Sequence, residues 1–186
     1  MTCADLHRVD GTRVSLRLAV PEDAAYIHSL RIDPRYNTYL SAVSGTVADQ
    51  RAWIEHYKTR EAMGQEYYFV IERCLDVTPC GLVRLYDISA DHFTWGSWIL
   101  DHNKPAKAAL ESAVLIYRIG FEQLGIAVSK FDVRTDNERT LAFHRRFGAV
   151  ETGRDDQDVF FEYTRDRFDI DIATHMSVIN TKVQGD

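Results

Sequence analysis

The first half of the chain changes from a two-residue hydrophobic period to a longer one and back. Hydrophobic residues occupy every second position in VSLRLAV (14–20), which predicts a half-buried strand. Two helices are predicted after it, over 21–30 and 46–57, because Pro21 suits a first helical turn and Thr46 suits an N-cap. Three segments rich in aromatic and β-branched residues follow, and their short connections predict an antiparallel meander. These predicted strands are 66–73, 79–88 and 92–100.

The second half alternates helices and strands. The clearest helix is predicted over 106–125, where hydrophobic residues share one face at a period of 3.6 and Gly125 ends the pattern. A strand over 129–135 and a helix over 137–147 come next, and a hairpin is predicted with its turn at Asp155. This order of elements predicts a mixed α/β (α+β) fold, with a mostly antiparallel central sheet and about four helices.

The chain is predicted to hold one domain with two flanking segments. We place the domain at 14–165, after an N-terminal segment (1–13) and before a C-terminal extension (166–186). In the extension, hydrophobic residues alternate with aspartates from Phe168 to Ile172, which predicts a short extra strand followed by a tail. Such a strand has two possible partners: a second copy in a homodimer, or the edge of its own sheet.

Composition excludes several function classes. The 45% hydrophobic content is ample for a packed core, and the formal net charge of −6 disfavours a nucleic-acid-binding protein. No stretch approaches the roughly 20 apolar residues of a membrane span, and the first ten residues lack the apolar core of a signal peptide. The three cysteines are an odd number without ligand-like spacing. We therefore expect no disulfide framework, no metal site and a reducing cytoplasm.

Three motifs in the second half resemble the GNAT N-acetyltransferase superfamily. They are ALESA (109–113), GFEQLG (120–125) and N-x6-H-x2-FGA (137–149). The similarity covers about residues 14–165, and it implies a GNAT fold with acetyl-CoA as the co-substrate. It also implies that strands 92–100 and 129–135 are parallel neighbours that splay apart to admit the pantetheine arm of acetyl-CoA. We expect the backbone distortion that separates them at Gly96.

The resemblance implies an acetyl-CoA site along the end of strand 92–100, the loop after it and the last predicted helix. The implied binding residues are Trp98, Ile99, Leu100, Lys104, Ala106, Lys107, Ala108, Asn137 and Phe143. The loop DHNKPAKAA (101–109) departs from the family's glycine-rich pyrophosphate pattern, so Lys104 and Lys107 are expected to compensate with charge. The alternative is that both lysines are solvated at a helix start. Asn137 is also a suitable N-cap.

His144 stands where many family members have a tyrosine that protonates the departing CoA thiolate. An imidazole with an ordinary pKa near 6.5 is protonated roughly a quarter of the time at pH 7, and its proton passes downhill to a thiolate of pKa about 8.5. The alternative is a histidine that hydrogen-bonds a carbonyl while water protonates the sulfur. Asp132 is the first candidate for the general base, and Glu66 and Asp87 are the other candidates.

The acceptor site is expected between the first two helices and the central strands. Its candidate residues are Arg31, Asn37, Tyr39, Tyr86 and Asp87. The acceptor is expected to be a small-molecule amine or a peptide N-terminus, since the chain resembles acetyltransferases of nucleotide-linked amino sugars and of ribosomal-protein N-termini. The motifs of the second half resemble the amino-sugar group more. A GNAT fold that binds CoA without catalysis is the third alternative.

Overall fold

The computed structural model describes residues 6–181 and contains eight strands and six α-helices in that range. They are β1 (Arg8–Asp10), β2 (Val14–Leu18), α1 (Ala24–Ile32), α2 (Pro34–Asn37), α3 (Val47–Ala62), β3 (Tyr67–Arg73), β4 (Pro79–Tyr86), β5 (Thr94–Leu100), α4 (Ala108–Arg118), β6 (Val128–Arg134), α5 (Glu138–Phe147), β7 (Val150–Arg154), β8 (Asp158–Thr164) and α6 (Arg165–Asn180). The mixed α/β prediction is confirmed, with more helices than the four expected. No helix between residues 6 and 181 combines the length and hydrophobicity needed to cross a bilayer.

The strands form two antiparallel sheets that meet at one point. The first sheet has the order β1-β2-β3-β4-β5, and the second has the order β6-β8-β7. A single parallel bridge joins Phe93 to Ser129. There the Phe93 N–H donates to the Val128 carbonyl at 3.1 Å, and the Phe93 carbonyl accepts from the Lys130 N–H at 3.0 Å. Beyond this bridge β5 and β6 share no ladder, so the predicted splaying of the two strands is confirmed.

A β-bulge turns β5 away from β6. Leu82 pairs with Ile99 while Arg84 pairs with Gly96, so β5 carries one extra residue against β4. Ser97 takes the left-handed φ of 48° that accommodates this extra residue. The sequence predicted the distortion at Gly96, and the structure has it one residue later, at Ser97.

Helices cover both faces of the five-stranded sheet. On one face, α1 and α3 pack against alternate side chains of the central strands such as Tyr68 and Leu82. On the other face, α4 lies over β2 and β5 and shares a core with Phe69 and Val83, while α6 packs against α4 and β8. Adjacent residues of β3 thus belong to different cores, as the two-residue period of a strand requires.

The C-terminal extension is a helix, so the strand predicted from Phe168 to Ile172 is wrong. The Thr164 hydroxyl caps α6 by accepting from the Arg167 N–H at 3.3 Å. Phe168 and Ile179 are buried in the main core, and the helix packs against α4. Most of the extension is therefore part of the domain, and residues 182–186 of the predicted tail lie outside the described residues. At the other end, β1 pairs with β2, so the N-terminal segment contributes a strand.

The helix predicted over 106–125 is shorter and ends in a different geometry. Its α-helical part is α4, which continues as a π-helical turn over Ile119–Gln123. A Cβ on Gly120 would lie 2.1 Å from Cζ of Phe93, so only glycine lets this ring pack against the turn. The π-helical turn therefore packs against Phe93, the residue at which the two sheets meet.

Candidate active site

A cleft of about 610 Å³ opens where β5 and β6 diverge. Its walls come from residues 95–100 of β5, residues 131–134 of β6, one face of α5 and the segment 35–41. The structure brings ten of the predicted site residues together here: Trp98, Ile99, Leu100, Lys104, Asn137, Phe143, His144, Asp132, Tyr39 and Tyr86. Six others do not line the cleft: Ala106, Lys107, Ala108, Arg31, Asn37 and Asp87.

Several residues of the cleft were missed from the sequence. They include Tyr36, Ser41, Ser97, Arg139 and Thr140. Thr140 shares the helical face of Asn137 and His144, so the helical period of α5 was a sufficient signal for it. The segment 35–41 has no such period, and only its tertiary packing shows which side chains face the cleft.

His144 lies at the bottom of the cleft among aromatic rings. It is 4% exposed, and its ring centroid lies 4.4 Å from that of Phe131 and 5.4 Å from that of Trp95. Its Nδ1 atom has no hydrogen-bond partner within residues 6–181. Burial lowers the pKa of His144 to about 3, because nothing there replaces the hydration of an imidazolium. The expectation of partial protonation at pH 7 is therefore wrong, and the ring is neutral in the free protein.

Asp132 is the carboxylate of β6 that faces the cleft. Its neighbours Phe131 and Val133 point into the core, so Asp132 points away from it, as expected from the alternation. Partial burial raises the pKa of Asp132, and the negative charge of Asp158 raises it further. Asp132 in turn contributes to the raised pKa of Tyr86, whose main cause is burial. The cleft thus holds a carboxylate that is more basic than an ordinary aspartate.

The two other candidates for the base have structural partners outside the cleft. Glu66 is 7% exposed and pairs with Arg60 at 2.6 Å and with Arg84 at 2.5 Å. Asp87 lies on the surface, where its Oδ2 is 3.1 Å from Nε2 of His92. Since neither lines the cleft, Asp132 is the carboxylate best placed for a reaction there.

The loop after β5 is held by hydrogen bonds of Asp101, which is 2% exposed. Its two carboxylate oxygens accept from the Tyr26 hydroxyl at 2.8 Å and from the Asn103 N–H at 2.7 Å. Lys104 lines the cleft, with its Nζ atom 3.4 Å from the Asp101 carbonyl. Lys104 therefore remains available to a phosphate at the mouth of the cleft.

Lys107, a predicted acetyl-CoA residue, contacts the end of α6 in this structure. It adopts a left-handed φ of 66° at the start of α4, and its ammonium donates to the carbonyls of Val178 and, at 2.6 Å, Thr181. These are carbonyls at the C-terminal end of α6, which a cation stabilises. Ala106 is exposed and Ala108 is buried, and neither lines the cleft.

Two polar side chains, Asn137 and Tyr39, lie at the rim of the cleft, and Asn37 lies outside it. Asn137 accepts from the Thr140 N–H at 3.3 Å, so it is the N-cap of α5 as well as a cleft residue. The Tyr39 hydroxyl donates to the Asp136 carbonyl at 3.3 Å and ties the segment 35–41 to the turn before α5. Asn37 instead donates to the Arg31 carbonyl at 3.1 Å and supports the backbone between α1 and α2.

Comparison with known protein families identifies the architecture. Residues 13–150 match the family model described as Acetyltransferase (GNAT) domain. The chain belongs to the GNAT acetyltransferase family. This GNAT protein is accordingly an N-acetyltransferase, and the cleft between β5 and β6 is its candidate active site.

Solved structures agree with this assignment. An unliganded structure of FdhC, a nucleotide-linked sugar GNAT, is 37% identical to the GNAT protein, with a TM-score of 0.85 over 91% of this chain and 96% of FdhC. The ribosomal-protein-S5-alanine acetyltransferase of Vibrio fischeri is 13% identical, with a TM-score of 0.74 over 86% of this chain and 97% of its own. A GCN5-related N-acetyltransferase of Brucella melitensis is 15% identical, with a TM-score of 0.79 over 96% and 89%. No curated protein sequence matches significantly.

Proposed function

We propose that this GNAT protein transfers the acetyl group of acetyl-CoA to the primary amine of a nucleotide-linked amino sugar. The observation that carries the proposal is the 37% identity to FdhC, a nucleotide-linked sugar GNAT, over nearly the whole of both chains. The ribosomal-protein acetyltransferase shares only 13% identity, so it supports the fold and not a peptide acceptor. The free thiols of Cys74 and Cys80 agree with a reducing cytoplasm as the compartment.

The cleft fits acetyl-CoA as the donor. Along β5, the edge that faces β6 has no strand partner after Phe93 within residues 6–181, so its backbone groups can pair with the pantetheine arm as with an added strand. The first turn of α4 reaches the cleft at Ala109, and Lys104 stands beside it. Together they offer the positive end of a helix and an ammonium group to the pyrophosphate.

Asp132 supplies the base in this proposal. The acceptor amine must be neutral to attack, and the raised pKa of the Asp132 carboxyl makes it a better proton acceptor, directly or through one water molecule. The amine nitrogen forms a bond to the thioester carbonyl carbon, and the bond from that carbon to sulfur breaks. The proton lost by nitrogen is balanced by the proton that the CoA sulfur gains.

His144 takes part as a neutral ring at the buried end of the cleft. In the free protein its low pKa excludes a preformed imidazolium. A ring N–H can still donate a hydrogen bond to the departing sulfur, and the negative charge that develops there raises the pKa of the ring. His144 thus stabilises the thiolate by hydrogen bonding before any proton passes from the ring to the sulfur.

The function is tested by measuring CoA release from acetyl-CoA with a panel of acceptors. The panel contains UDP- and dTDP-linked amino hexoses, the same amino hexoses without nucleotide, and peptides with a free N-terminal serine or alanine. We expect turnover with a nucleotide-linked amino sugar, and a kcat at least a hundredfold lower in Asp132→Asn with an unchanged KM for acetyl-CoA. The control Asp156→Asn changes an exposed turn carboxylate instead. Faster turnover of a peptide would reject the proposed acceptor.

A further inference from the structure

A second cavity lies beside the cleft and has no role in the chemistry described so far. It has a volume of about 420 Å³ and opens between α1, α3 and the central strands, behind the segment 41–44. We call it the arginine pocket and define it by Arg31, Ser41, Ser44, Trp53, Tyr68 and Arg84. Ser41 lines both this pocket and the cleft, so the two cavities are neighbours.

Arg31 is a buried cation whose charge is not compensated. It is 7% exposed, and its Nη2 donates to the carbonyl and the hydroxyl of Ser41, both at 3.0 Å. Its Nε is buried without a hydrogen-bond partner, and no carboxylate pairs with it within residues 6–181. Burying an unpaired guanidinium is costly, so an anion in the pocket would complete the site.

The carboxylates near the pocket are already engaged. Arg84 pairs with Glu66 at 2.5 Å, but Glu66 also pairs with Arg60, so one carboxylate lies between two guanidinium groups. The Asp49 carboxylate accepts from the N–H and the hydroxyl of Thr46 at the start of α3. Like Arg31, Arg84 has a buried Nε without a partner in the described part of the chain. The lining thus holds two guanidinium groups and one carboxylate, that of Asp49, so its net charge is positive although the whole chain is acidic.

Stacked side chains connect the arginine pocket to the cleft. The Arg84 guanidinium lies 5.6 Å from the ring centroid of Tyr68 in the pocket and 5.4 Å from that of Tyr86, which lines the cleft. The charges of Arg31 and Arg84 partly offset the rise that burial causes in the Tyr68 pKa. Arg84 thus lies between a ring of the arginine pocket and a ring of the cleft.

We propose that the arginine pocket binds the diphosphate of the nucleotide-linked acceptor, so that the amino sugar extends past Ser41 into the cleft towards Asp132. The guanidinium groups of Arg31 and Arg84 line the pocket and are donors for phosphate oxygens, and Ser44 lies on the same wall. This inference rests on the proposed function, because it assigns one part of that acceptor to a place in the fold.

The test is a calorimetric titration of the full chain with UDP and dTDP in the presence of saturating CoA, which occupies the donor site. Arg84→Gln removes one guanidinium, and Arg31→Lys keeps the charge but replaces the planar guanidinium with an ammonium. We expect each variant to weaken nucleoside diphosphate binding at least tenfold. Arg51→Gln is the control, since Arg51 is an exposed residue of α3 paired with Glu22 outside both cavities. Uridine and thymidine, which lack the phosphates, should bind at least tenfold more weakly than the diphosphates.

Each outcome decides a different question. Equal affinity in all four proteins, or binding that disappears when CoA is added, would overturn the diphosphate site. With a nucleotide-linked amino sugar as substrate, Arg84→Gln should raise its KM at least tenfold and leave kcat and the KM for acetyl-CoA unchanged. Pocket-dependent diphosphate binding without any turnover of such substrates would support the site and reject the proposed acetyl acceptor. Melting temperature and CoA affinity confirm that each variant is folded.

Discussion

The buried imidazole of His144 should make the protein less stable as the pH falls, because burial lowers its pKa. Its pKa is about 3 in the folded protein and near 6.5 in the unfolded chain. The His144 imidazole binds a proton less readily in the folded protein than in the unfolded chain. The contribution of His144 to the free energy of unfolding is therefore complete above pH 6.5 and is lost as the pH falls towards 3. Between pH 7.5 and pH 5.0, linkage gives a loss of about 2 kcal/mol in the free energy of unfolding.

The perturbation that isolates this effect is His144→Phe, which keeps an aromatic ring among Phe131 and Trp95 and removes the titrating group. Urea unfolding at both pH values gives the free energies of unfolding. We expect the wild type to lose about 2 kcal/mol more than the variant on acidification. His56→Gln, which removes an exposed imidazole from α3, should behave as the wild type. Equal losses in the wild type and His144→Phe would refute the reasoning.

Two further substitutions test contacts outside the cleft. Lys107→Met removes the ammonium that donates to the carbonyls of Val178 and Thr181, so amide exchange at the end of α6 should accelerate. The affinity for acetyl-CoA, measured by calorimetry, should stay within twofold. A marked loss of affinity would show that Lys107 binds acetyl-CoA. Gly120→Ala forces a Cβ against the ring of Phe93 and should cost about 1–3 kcal/mol in urea unfolding. Adding Phe93→Leu should recover part of that loss, and an undiminished stability of Gly120→Ala alone would contradict the packing argument.

The strands and most helices were predictable because their signals are local. Alternation identified β2, and aromatic and β-branched residues identified β3, β4 and β5. The helix α6 was missed because hydrophobic residues at 168, 170 and 172 fit a strand in isolation. What decides between the two is long-range packing: Phe168 lies against Tyr117 and Phe121, and the His175 ring stacks on Phe147 at 4.2 Å.

The site was predictable where a motif and a regular element coincide. Asn137, Phe143 and His144 lie on one helix and reach the cleft together. The sequence could not reveal the partners of Lys107, because they lie more than 70 residues further along the chain. Nor could it give the pKa of His144, which depends on rings from β5 and β6 that only the folded chain brings around it.

The single bridge at Phe93 leaves an edge of β5 where a bound donor substrate would add hydrogen bonds between the two sheets. Each sheet is held by ladders between its own strands, but within residues 6–181 the only backbone hydrogen bonds between the two sheets are the two of Phe93. A pantetheine arm that pairs with the free edge of β5 would multiply the connections across this seam. If acetyl-CoA is the donor, as we propose, its binding adds to the stability of the folded protein, and the unfolding midpoint should rise with the concentration of acetyl-CoA.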